Sequence, residues 1–154
     1  MAAIHKISED LFEDSFSLIA LHSSLEDYAL VYAVNENFKA NFVRHKKDLE
    51  IKQSISFPIF EWRDDVNDRY WTLIANNSVK EMYTAGEDLF VDEPSYTKQY
   101  LLPEYKEVDF FMKIEQDNLD GTYEIVKKLL AMPKILTAYK IDIEKLKSKN
   151  NLIF

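Results

Sequence analysis

Leu102-Pro103-Glu104-Tyr105-Lys106-Glu107-Val108-Asp109-Phe110-Phe111-Met112-Lys113-Ile114-Glu115 reads as a tight turn feeding a strand. Pro103 fixes its own φ and lacks a backbone donor, and it pushes Leu102 toward extended geometry. From Val108 the pattern has period two. Val108, Phe110, Met112 and Ile114 fall on one face, and Asp109, Phe111, Lys113 and Glu115 on the other, as in a half-buried strand. On that reading Asp109 stands on the wetter face and Glu104 in the turn. A carboxylate in such a turn accepts hydrogen bonds from free backbone N–H groups and holds the loop. The same two carboxylates are also available to a ligand or partner, and acid–base chemistry is the third reading.

Downstream, Ile125, Val126, Leu129 and Leu130 recur at helical spacing opposite Lys127 and Lys128, and Pro133 ends the run. Ile135 to Ile141 then reads as a strand. Upstream, Ser24 followed by Asp27 offers a start like a capping box for a helix over Leu25–Phe38. Tyr28 to Val34 is apolar all round, so length and the cap, rather than period, select the helix. Phe16–Leu21 before it and Asn41–His45 after it read as strands. Ile55–Trp62 and Tyr70–Ala75 form a hairpin around Arg63–Asp68, with Pro58 marking an edge or a bulge. These elements predict an α+β fold over residues 1–154 as a single domain. The sheet is largely antiparallel with two helices on one face, and two strand–helix–strand units give it a ferredoxin-like tendency.

Val79–Leu101 is the least regular stretch. It mixes Tyr83, Phe90, Tyr96 and Tyr100 with five acidic residues, broken by Gly86 and Pro94. A run this long without strong period is either an aromatic-anchored cover over one sheet end or a binding surface. A short hairpin through Leu89–Val91 and Gln99–Leu101 fits it, as does a lid.

The 154 residues carry 27 acidic and 19 basic side chains, a net charge of −8, with 47% hydrophobic residues. A chain of this length buries roughly 70% of its unfolded surface. The acidic balance disfavours phosphate backbones, so the aromatic–cation runs Arg69-Tyr70-Trp71 and Tyr96–Tyr100 lack the basic field of an RNA platform. Two glycines, Gly86 and Gly121, exclude a phosphate-cradling loop or a dinucleotide fingerprint. His5, His22 and His45 are scattered and no cysteine is present, which argues against a zinc centre and against disulfides. Asp64–Asp68 and Asp117–Gly121 lack the ligand spacing of a calcium loop and read as turns. No apolar leader opens the chain, and its longest apolar run is seven residues, so the expectation is a cytoplasmic protein without a membrane span.

The nine residues from Leu102 to Phe110 resemble the signature I-P-E-x-x-x-V-D-Y, for which a family of small Bacteroidetes proteins is named. Pro103, Glu104, Val108 and Asp109 match, while Leu102 and Phe110 replace the outer Ile and Tyr. The likeness extends to Leu73-Ile74-Ala75-Asn76 and to the closing Leu146-Lys147-Ser148-Lys149…Asn151-Leu152-Ile153-Phe154. The family carries no assigned activity, and Phe110 removes any role for the phenolic oxygen. The expectation is therefore a non-enzymatic interaction or regulatory module. Pro103, Glu104 and Asp109 would supply its polar contacts, and Tyr96 and Tyr100 its aromatic anchors. A small-metabolite-binding regulatory domain is the alternative, and a weak acid–base enzyme using Glu104 or Asp109 the third. No cofactor or metal is expected, the partner is an unknown protein or small ligand, and exposed edge strands are compatible with a homodimer.

Overall fold

Phe16–Ser23 (β1) is buried along almost its whole length, which explains why its sequence is nearly continuously apolar rather than alternating. Residues 16–52, 55–82, 95–116, 121–152 and 154 are described in the computed structural model. Around β1 stand Val43–Arg44 (β2), Leu49–Lys52 (β3), Ile55–Phe57 (β4), Ile59–Asp64 (β5), Arg69–Ala75 (β6), Asn77–Met82 (β7), Ser95–Tyr100 (β8), Phe110–Gln116 (β9) and Ile135–Ile141 (β10). The helices are Asp27–Phe38 (α1) and Thr122–Leu130 (α2). The main sheet has the order β10-β1-β9-β6-β5-β2, with every neighbouring pair antiparallel. β3–β4 and β7–β8 form two separate antiparallel ribbons.

The helices pack on one face. Leu30, Val31 and Val34 of α1 and Ile125 and Leu129 of α2 meet Ile19, Leu21, Leu73, Phe110, Met112 and Ile114. Burying each such aliphatic side chain stabilises the fold by roughly 1.5–3 kcal/mol. The opposite face is covered as well. Phe57, Leu101, Leu102, Val108, Leu146 and Leu152 close over Leu18, Ile74 and Phe111. This corrects the expected wet face, since Phe111 is fully buried and Lys113 only 5% exposed. The parity expected from Val108 onward also breaks. Val108 lies in the turn, its N–H bonded to Tyr105 O, and it packs with Phe111, not with Phe110.

β9 and β10 run parallel on either side of β1, linked through α2. The segment after α1 behaves otherwise, because β2 is two residues long and is separated from β1 by three strands. Pro58 falls between β4 and β5, where the chain leaves the small ribbon and enters the main sheet. β8 contains Gln99 and Tyr100, from the second arm of the hairpin expected there, but it pairs with β7, and the expected first arm, Leu89–Val91, lies outside the described residues. Ser24 does not cap α1. The helix begins at Asp27 behind Glu26, and Ser23 Oγ accepts the Leu25 N–H instead. At its far end Lys39 is left-handed (φ 52°), and Asn35 clips the outgoing chain by bonding both N–H and C=O of Phe42. The 64–68 cluster forms a turn in which Asp64 accepts from Val66, Asn67 and Arg69. Those bonds, Asn67 first and Arg69 next, hold its carboxyl down at about 2.

Candidate functional site

The motif occupies the junction of three remote segments. Leu102 is extended and fully buried, and Pro103 opens a 3-10 turn through Tyr105. Tyr105 N–H bonds Leu102 O, which closes that turn. Its backbone is wired to Asn76, the residue just after β6, which has no exposed surface. Asn76 Nδ2 donates to Tyr105 O at 2.7 Å and to Val108 O at 2.9 Å, while its Oδ1 accepts from Leu102 N at 2.9 Å. Its main chain adds two more links, to Asp109 O and from Leu101 N. One buried amide thus satisfies a loop that would otherwise bury unpaired backbone groups.

Glu104 and Asp109 are not brought together on one ligand. Glu104 Oε2 accepts the N–H groups of Lys147 and Ser148 at 2.7 and 2.9 Å, holding the C-terminal segment. Partial burial raises its pKa, but the hydrogen bonds from its own backbone, Ser148 and Lys147 outweigh this, and the net shift is downward. A depressed carboxylate contributes stability that is present above its ordinary value near 4.5 and lost as pH falls through the lowered folded value. Asp109 Oδ2 accepts from Ser23 N at 2.9 Å, and its own N–H bonds Leu21 O, tying the turn to the end of β1. Asn151 Nδ2 closes the assembly on Leu101 O. Pro103 is exposed at the turn, and Tyr100 is half-buried with the Lys106 ammonium 5.9 Å above its ring. The side chain of Tyr96 lies outside the described residues.

Two further constellations were not foreseen. Lys113 sits between the Phe16 and Phe154 rings at 4.7 and 4.6 Å and donates to Leu152 O at 2.8 Å. Burial pushes its pKa down, against the opposing pull of Glu115 3.6 Å away. Tyr70, across the sheet on the same face, donates to Glu61 at 2.5 Å, and His45 stands 3.8 Å from Glu61. Burial and then Glu61 raise the Tyr70 phenol. The alternating pattern placed Lys113 on the wetter face of this strand, and only the second apolar cover reveals it as buried.

Asp109 also borders an open depression of about 430 Å³, shared with Ser24, Glu26, Asp27 and Asn77. Tyr28, 66% exposed, follows Asp27 at the start of α1, and the neighbouring Glu26 carboxylate raises the pKa of its phenol. Tyr32 follows one turn along α1 at 69% exposure. Among the described residues no cluster of three metal-ligating side chains occurs, and no helix is long and apolar enough to cross a membrane. Comparisons with protein-family models, curated proteins and solved structures returned no match for this chain.

Proposed function

We propose that the chain is a non-enzymatic interaction module of the bacterial cytoplasm and that its binding surface is the acidic depression bordered by Asp109, not the motif turn itself. The observation that carries this reading is the exposed Tyr28–Tyr32 pair on α1, next in the chain to Glu26 and Asp27, which line the depression together with Asp109. Exposed tyrosines next to carboxylates suit a protein segment that presents basic side chains, since aromatic anchors and complementary charge dominate such contacts. The resemblance to the I-P-E-x-x-x-V-D-Y family belongs to the same reading. Glu104 is engaged by backbone N–H groups and lowered in pKa, opposite to the raised pKa of a carboxylate poised as a general base near neutral pH.

Affinity recovery from native cells with Tyr28→Ala/Tyr32→Ala and Glu26→Lys/Asp27→Lys tests this. The expected result is loss of a stoichiometric partner from both variants at unchanged melting temperature. Full recovery by both would overturn it. The order β10-β1-β9-β6, with helices after β1 and β9 on one face, supports a ferredoxin-like arrangement and keeps the small-metabolite alternative open. That alternative expects a ligand-dependent rise in melting temperature.

A further inference from the structure

Both tryptophans of the chain, Trp62 and Trp71, line one hollow of about 300 Å³ on the helix-covered face of the sheet. Phe38 joins them from the end of α1, and Ile125 and Lys128 from α2. Trp71 stands edge-on to Trp62 and to Phe38, with ring centroids 5.1 and 6.0 Å apart. Its indole N–H donates to Gln116 at 3.1 Å, so the rings are set before any ligand arrives. Trp62 is half-buried, and among the described residues its indole N–H has no partner. Two cations are laid on these rings. The Arg69 guanidinium lies 5.0 and 5.5 Å from the Trp62 and Trp71 ring centres, and the Lys128 ammonium 4.8 Å from that of Phe38.

The local charges do not cancel. Arg69 is held at 2.6 Å by Asp64, which lies outside the lining, and so acts as a fixed wall. Glu124 belongs to the lining but pairs with Lys127 at 3.7 Å. Lys128 is left without a carboxylate among the described residues, its ammonium folded back over Phe38. Three cations thus meet two carboxylates around an apolar hollow, in a chain whose net charge is −8. We infer that this hollow binds a small apolar monocarboxylate, with the carboxylate on Lys128 and the hydrocarbon body against Trp62, Trp71 and Ile125. The unmatched cation selects a monoanion over a neutral or cationic molecule, and a volume at the lower end for ligand pockets selects a body of amino-acid size. Arg69 already covers both indoles, so selection is by charge and apolar lining rather than by ring stacking. The hollow shares no lining residue with the depression bordered by Asp109.

Tryptophan emission of the full chain tests this, because Trp62 and Trp71 are its two tryptophans and both line the hollow. Phenylacetate should change the emission saturably and move the Trp62 indole N–H resonance. Phenylacetamide and phenethylamine keep the ring and lose or reverse the charge, and each should bind at least about tenfold more weakly. Lys128→Glu should raise the dissociation constant of phenylacetate by about tenfold or more at unchanged melting temperature. Lys128→Met, which keeps a stem over Phe38 without the charge, should show a loss in the same direction. No saturable change with any of the three probes up to about 10 mM overturns the inference. Equal binding of phenylacetate and phenylacetamide does so too, since the hollow is then apolar without a choice of charge. Tighter binding of phenethylamine would assign the charge to Glu124, and binding indifferent to both Lys128 variants would remove its stated anchor; either result also overturns it.

Discussion

Replacing Asn76 by alanine is expected to lower the unfolding free energy by about 3–5 kcal/mol, the largest effect of any single polar substitution in the chain. The side chain is fully buried and makes three hydrogen bonds, all to backbone groups between Leu102 and Val108. Alanine leaves the Leu102 donor and the Tyr105 and Val108 acceptors without partners, and each buried orphan costs about 1–3 kcal/mol. A domain of this size has only about 5–15 kcal/mol in total, so the melting temperature should fall by about 10 °C. Asn76→Asp should fare no better. It keeps one acceptor but turns a second oxygen, and its charge, toward two carbonyls. Chemical and thermal unfolding of the three proteins checks this; a loss below about 1 kcal/mol would mean that the loop is held by its apolar contacts alone.

The second large effect concerns Lys113, and it separates charge from packing. Lys113→Ala should destabilise by about 2–4 kcal/mol, because it removes a stem packed between two aromatic rings and leaves Leu152 O unpaired. Lys113→Met keeps most of that volume and relieves the burial of an ammonium. It should lie within about 1 kcal/mol of the wild type. The pH dependence has a definite sign. A folded-state pKa below the ordinary 10.5 makes the buried charge a penalty at neutral pH, relieved as pH rises from the lowered value toward 10.5. Denaturant unfolding of both variants decides the matter, and a Met variant as unstable as the Ala variant would assign the role to the ammonium itself.

Local pattern was enough for the elements, and long-range partnership was not. The apolar run from Phe16, the 3.6-residue spacing around Ile125 and Leu129, and the turn residues 64–68 are self-sufficient signals, and all three appear where expected. The face assignment after Val108 failed because an alternating pattern says nothing about a second cover, here supplied by Leu101, Leu102, Leu146 and Leu152 from remote segments. Ser24 was misread for a related reason. The chain bends once more before the helix, and Ser23 takes the local cap. The contacts of the motif turn depend on Asn76, at least 26 residues away, and on Lys147 and Ser148, 43 and 44 residues from Glu104. No spacing rule links such positions.

Equilibrium unfolding of Glu104→Ala/Asp109→Ala beside the wild type, with amide exchange read at Ser23, Lys147 and Ser148, tests most directly whether the motif holds the fold together. If it does, the variant loses about 2 kcal/mol, less than buried bonds would cost because Glu104 is partly solvated, and those three amides exchange faster. Unchanged stability and unchanged exchange at all three, with partner recovery abolished, would contradict it and make the two carboxylates the binding site.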